Sequence, residues 1–261
     1  MGLVKIVSTG EYGACSAKSR KDAGNHFSLR VLGACFAAVL FASPDGASAA
    51  QDRLDYRVSH SIYGDIGTYS NVIETDGDTT TVRTTLDIKV SILGVVAYRR
   101  AAHRVETWMG DRLVDFQSTS RLNGKTIVLS GAAQGDKFVL TLPNGKASAP
   151  ASVRVANPWT TNNLNGDTVL SPDDGAIRKA RLTDAGEMSV MIQVQNIRVH
   201  EYDVAMVGTA KHYQVWFDTV GTPVMFRVFD SDGVCTFTLN GPRPSDVLLA
   251  ERARNPQQGI P

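Results

Sequence analysis

The residue types able to do chemistry in this 261-residue chain are scattered, and most of their spacings fail the geometry their chemistry needs. His200 and Glu201 begin the pattern of a helical zinc protease, which needs a second histidine at 204. That position is Val, and the segment reads as a strand. Cys235 alternates with Phe237 and Leu239, the spacing of packed strand residues and not of an activated nucleophile. Asp230, Asp232 and Gly233 carry fragments of a calcium-loop spacing and read better as a hairpin turn. There is neither a Gly-x-Ser-x-Gly elbow nor a Gly-rich phosphate loop, so no catalytic residue, metal ligand or cofactor site is expected.

One segment stands apart. From Val95 to Trp108 the alternation puts Tyr98, Arg100, Arg104, Glu106 and Trp108 on one face and Arg99, His103 and Val105 on the other. Neither face is apolar. Two readings follow: a wet outer face whose register a bulge flips, or a polar patch inside a concave sheet. In the second, arginines hold an anionic head group beside aromatic walls, or Glu106 pairs with Arg100 or Arg104. His60 lies on an apolar face with Leu54, Tyr56, Val58 and Ile62, as a core or rim histidine. His212 shares its face with Gln214, Trp216 and Asp218, which reads as polar surface with an aromatic contact. Trp108, Trp159 and Trp216 are candidate anchors, to a ligand or to the core. The ligand-binding candidates are Arg100, Arg104, Glu106, Trp108, Trp159 and His60.

The elements that must position these residues are strands. Period-two alternation runs through Leu54 to Ile62 and, most cleanly, through Val82 to Ile92. It returns at Ile127 and Leu129, at Phe138 to Leu142, at Met188 to Val194 and at Tyr213 to Phe217. Val224 to Phe229 and Val234 to Leu239 complete the series. Between them sit Asp76-Gly77, Asn123-Gly124, Asn144-Gly145, Asp174-Gly175 and Asp232-Gly233, which supply the positive φ of tight hairpins. The expected fold is all-β: a large antiparallel, strongly curved sheet, as a half-barrel or an open barrel or sandwich. One long covering loop or short helix, Asn157 to Ser171 around Trp159, crosses it. Rossmann and α/β-barrel folds are excluded.

Residues Val31 to Ala42 form an uncharged apolar run behind Arg20, Lys21 and Arg30, followed by Ser43-Pro44-Asp45-Gly46 and then Ala47 to Ala50. This is the order of a secretory signal peptide, with cleavage expected after Ala49 or Ala50. Twelve residues make about 18 Å of helix, short of the roughly 30 Å hydrocarbon core, so no permanent membrane span is expected. The stretch before Arg30 exceeds a usual positive leader, which suggests a translation start inside it. The expected organisation is an N-terminal extension and signal peptide over 1–50, an antiparallel β domain over 51–242, and a short terminal helix and mobile tail over 243–261. Lys and Arg number 27 against 26 Asp and Glu, so there is no basic field to attract nucleic acid. Cys15 and Cys35 would leave with the leader, and Cys235 then has no partner in the chain.

Tyr56, the Gly64 to Gly67 turn, Glu106-Thr107-Trp108, Gly110 to Leu113, Asn123-Gly124, the Trp159 loop and Val215 to Asp218 together resemble a family of secreted proteobacterial all-β domains of unknown function. The resemblance spans Asp52 to Leu239 and brings no catalytic residues with it. In outline that family is similar to envelope proteins whose half-barrel sheet holds a lipid, an architectural likeness.

Three functions are open to such a chain. The first is a periplasmic domain binding an elongated apolar or amphiphilic molecule, its polar head held at the rim by Arg100, Arg104 and Trp108. The second is an envelope structural or assembly protein that uses exposed strand edges and binds no small molecule. The third is a hydrolase around His103 and Glu106, where no nucleophile, base and orienting group occur at readable spacing.

Overall fold

A computed structural model describes residues 50–244 and residue 246. The expected leader, and the terminal helix and tail apart from Arg243, Pro244 and Asp246, lie outside the described residues. The first long strands are β1 (Ala50–His60), β2 (Gly64–Asp76), β3 (Thr79–Ile92), β4 (Val95–Met109) and β5 (Arg112–Leu122). Shorter ones follow: β6 (Lys125–Gln134), β7 (Lys137–Leu142), β8 (Gly145–Pro150), β9 (Arg154–Val155) and β10 (Thr168–Leu170). The last are β11 (Ile177–Ile192), β12 (Gln195–Met206), β13 (His212–Asp218), β14 (Pro223–Asp230) and β15 (Gly233–Leu239).

These strands make one sheet in the order β8-β7-β6-β5-β4-β3-β2-β1-β15-β14-β13-β12-β11-β10-β9. Neighbours are antiparallel throughout, except that β9 and β10 run parallel. The sheet rolls without closing, and its two edges are β8 and β9. The roll carries its last strands over the inner face of its first ones. Val153, Val155 and Leu170 accordingly pack with Trp108, Phe116, Leu129, Phe138 and Leu140 of β4 to β7.

Apolar alternation explains the strands that were legible, and bulges explain those that were not. In β2 the inward residues are Ile66 and then Tyr69, three apart. The pairing with β1 shifts between Val58 and Ser59, which breaks the period. Gly67 sits there because a Cβ would lie 2.0 Å from the Asp87 carbonyl oxygen. In β5 the same shift, opposite Thr107 and Trp108, separates Leu113 from Phe116. Beyond Phe116 the inward positions of β5 are Ser118 and Ser120, so the strand carries little apolar signal. Asn123 and Gly124, with φ of 47° and 88°, close the β5-β6 hairpin as expected. Val194, expected inside a strand, sits in the β11-β12 turn at 91% exposure, because Gln193 takes a positive φ and ends β11 at Ile192.

The covering segment between β8 and β11 does cross the sheet. It holds a 3₁₀ turn at Thr161–Leu164 and the short strands β9 and β10.

Candidate functional site

β4 settles which way its polar face points. Arg104, Glu106 and Trp108 are buried at 4%, 0% and 2% exposure, while on the opposite face Arg99 and His103 are exposed and Val105 is half-buried. The bulges lie toward the two ends of the strand, at Ser91 opposite Val96 and at Thr107 and Trp108, so the register between them is unbroken. The polar patch is therefore interior, and the wet-outer-face reading is corrected.

From one end of β4 to the other the inward side chains meet three environments. Tyr98, Arg100 and Arg104 line a cavity of about 670 Å³, within the roughly 300–1,000 Å³ usual for small-molecule sites. Its walls are apolar, from Ile66, Leu86, Ile88 and Val90 on one side and Phe226 and Phe237 on the other. These walls follow from inward alternation of β2, β3, β14 and β15. The aromatic rings support one another: Phe226 stacks on Phe237 with centroids 4.2 Å apart, and Tyr69 meets both edge-on at 5.4–5.5 Å. The mouth lies where the β1-β2, β3-β4, β12-β13 and β14-β15 turns converge, since Tyr63, Ile92, Lys211 and Asp232 line it. Apolar tips flank it: Ile62, Tyr63, Ile92 and Val96 are exposed, and Leu93 is 99% exposed.

His60 lies at this rim. Its Nδ1 accepts a hydrogen bond from the Ile62 amide at 3.1 Å and its ring leans on Tyr63. His212 also reaches the cavity, stacked on Phe229 at 4.1 Å. Of the rest of its expected polar face, Gln214 is half-buried while Trp216 and Asp218 are buried. Asp218 Oδ1 accepts the Val220 and Thr222 amides that close the β13-β14 turn, and Trp216 packs under Arg227 with its Nε1 donating to Met188 Sδ. A buried carboxylate that closes its own turn looks like surface in sequence.

The inner end of the cavity is charged. Arg100 and Arg104 both reach Asp173, which arrives from the covering segment, and neither pairs with Glu106 as expected. Along the strand Glu106 lies about 7 Å from Arg104 and about 20 Å from Arg100, whereas the two carboxylate oxygens of Asp173 meet one arginine each. Burial pushes the Asp173 carboxyl up, but the two guanidinium charges outweigh it and hold it below the usual carboxylate range. Arg104 Nε has no hydrogen-bond partner among the described residues.

Beyond Arg104 a closed polar network forms a partition. Asn157 of the covering segment uses all four of its amide positions. Its Oδ1 accepts Tyr69 Oη at 2.7 Å and Asn71 Nδ2 at 3.1 Å. Its Nδ2 donates to Thr84 Oγ1 at 3.1 Å and to Glu106 Oε1 at 2.8 Å. Thr84 Oγ1 donates in turn to Asn71 Oδ1 at 2.7 Å, and Trp108 Nε1 donates to Glu106 Oε2 at 3.1 Å. Burial lifts the Glu106 carboxyl to about 7, against the pull of Asn157, Trp108 and Arg104 toward the ionised form.

Trp108 and Trp159 lie past the partition. With Arg154 they line a separate cleft of about 360 Å³, their rings 6.2 Å apart and the Arg154 guanidinium 5.6 Å above Trp108. Arg154 also donates to the Asp111 and Asn165 carbonyls, so this group pins the covering segment to the sheet. The structure thus brings Arg100, Arg104 and His60 to one cavity and puts Glu106, Trp108 and Trp159 elsewhere. Sequence reasoning missed Asp173, Tyr69 and Asn157. The signal for Asn157 was weak: an Asn before Pro158 in a loop already flagged.

No helix among the described residues is long and apolar enough to cross a membrane. Rolled sheet, apolar cavity and buried arginines define a class of β-barrel-like domain whose sheet is left open. A crystal structure titled a beta-barrel-like protein of the domain of unknown function DUF1849, from Brucella abortus, is similar over 74% of this chain and 96% of its own, with a TM-score of 0.52 at 11% identity. That likeness concerns the fold. The chain belongs to the family described as domain of unknown function DUF6134, whose model matches residues 63–238. No curated protein matches it in sequence.

Proposed function

We propose that the protein is an exported, periplasmic binding domain that holds an elongated apolar or amphiphilic molecule in its sheet. The observation that carries this reading is the cavity of about 670 Å³, with apolar walls and a mouth flanked by apolar turn tips. A sheet that had folded only to bury its own side chains would have filled that volume, because voids in packed interiors cost stability. Arg100 and Arg104 give the site polarity at its inner end, deeper than the rim position expected for them. The apolar run at 31–42, with small residues at 47–50, supports export, and the binding part is the domain expected over 51–242.

Native mass spectrometry with solvent extraction, on protein purified from its own cells without detergent, tests this. The expected result is a reproducible bound mass above the polypeptide. A bare chain would overturn the binding reading and leave the free β8 edge, and hence an envelope partner, as the next thing to pursue.

A further inference from the structure

We propose that the cavity selects an amphiphile with a single anionic head group, seated head inward, and that this group takes the place of the Asp173 carboxylate on Arg104 and Arg100. This rests on the binding reading above and adds the ligand's charge and its orientation.

The depth of the charge argues for the orientation. Ala97 lines the mouth end of β4 and Arg104 the inner end. Seven residues separate them, about 23 Å of strand. The walls in between are mostly hydrocarbon and aromatic. At the mouth Lys211 is exposed and already pairs with Asp230 at 3.4 Å, so for a molecule with a long apolar part and one anionic end the buried complement lies at the inner end. A guanidinium held at 4% exposure beside such walls is costly unless an anion meets it.

The charge count argues for one negative charge. Arg104 and Arg100 share one carboxylate, so two cations face one anion. Glu106 belongs to the partition, spends its oxygens on Asn157 and Trp108, and is only partly ionised near neutral pH. Arg104 Nε is left without a partner among the described residues.

Asp173 is the member of the cluster able to leave. It sits in the turn between β10 and β11, its side chain is 36% exposed, and its neighbour Asp174 also lines the cavity. Arg104 sits mid-strand, hydrogen-bonded in the ladder on both sides, and has nowhere to go. A carboxylate or phosphodiester offers guanidinium the same pair of oxygens that Asp173 does. Exchange of one for the other keeps the charge balanced and returns an ionised aspartate to water.

Calorimetric titration at pH 8 with hexadecanoate, its uncharged methyl ester and a lysophosphatidylglycerol tests the proposal on the wild-type chain and on Asp173→Asn and Arg100→Gln. Wild-type protein should bind an anionic amphiphile about tenfold or more tighter than the ester. Asp173→Asn should widen that gap by tightening the anion alone, and Arg100→Gln, at a half-exposed site that leaves Arg104 intact, should narrow it. Preference for hexadecanoate over the lysophospholipid assigns a carboxylate head, and the reverse assigns a phosphodiester. Equal affinity for acid and ester, or an Asp173→Asn protein with unchanged anion affinity, would overturn the head-group proposal while cavity binding survived. Failure of all three probes to bind would overturn both.

Discussion

Arg104 and Trp108 stand four residues apart on the inward face of β4, yet they look into different interiors. On the Trp108 side, β3 to β7 and the covering strands β9 and β10 meet in a packed cluster in which Phe116, Phe138, Leu129 and Leu140 are almost wholly buried. On the Arg104 side, β1 to β3 and β11 to β15 build a larger apolar cluster that leaves a cavity inside it. Both are made of the same element with the same inward alternation. The difference lies in what comes over the top. The covering segment lays Val153, Val155 and Leu170 onto one half, whereas over the other it presents Pro158, Ser171, Pro172 and Asp173 at the edge of open volume. The segment packs onto one half and spans open volume over the other.

The largest effect expected from this contrast is in the packed half. Phe116→Ala should cost about 3–5 kcal/mol of folding stability in a denaturant titration, whereas Ile88→Ala on the cavity wall should fall at the low end, about 2 kcal/mol. Ile88 already borders the cavity, so shortening it enlarges an existing space instead of opening a new void in packed core. Equal losses would mean that the two halves do not differ in packing.

The partition between the halves should make stability depend on pH. Glu106 titrates near 7 in the folded chain and near its ordinary 4.5 when unfolded, so the folded chain holds the extra proton over that window. Its contribution is fully present below 4.5 and is lost as pH rises through about 7, for a total of about 3 kcal/mol. Glu106→Gln stays neutral and should flatten the slope between pH 5 and 8. An unchanged slope would show that the carboxyl is not the group responsible.

A smaller loss is expected from Gly131→Ala. The added methyl would lie 2.5 Å from the Phe138 ring, and the crowding should cost about 1–3 kcal/mol by thermal melt. The smallest effect on folding belongs to the cavity half. Ala97→Phe at the mouth should change stability by only about 0.5 kcal/mol while removing the mass retained in native spectrometry. A variant that kept its bound mass would place the ligand elsewhere.

Much of the architecture could be read from residues alone. The Val82 to Ile92 run admits only a strand with one buried face, and Asn123-Gly124 admits only a tight hairpin, because both are local matters of side-chain parity and backbone sterics. β2 and β5 escaped for an equally local reason: a bulge resets parity, and a strand whose inward residues are Tyr69 and Asn71, or Ser118 and Ser120, carries little apolar signal. The candidate site was half legible. Arg100, Arg104 and Glu106 were conspicuous as charges on a face that alternation required to be buried. Their partners were not, since Asp173 and Asn157 lie roughly 50 to 70 residues away in the chain.

The amino-acid sequence by itself determined that this chain is all-β, that its sheet is antiparallel, and that β4 carries charge where a strand usually carries hydrocarbon. Only the tertiary structure decided that this face points inward, that Asp173 and not Glu106 neutralises the arginines, and that one half is filled while the other holds a cavity. The physical reason is that alternation fixes which residues share a face. Which face is inside depends on where the roll of the sheet carries the covering segment, and that is set by contacts between residues far apart in sequence.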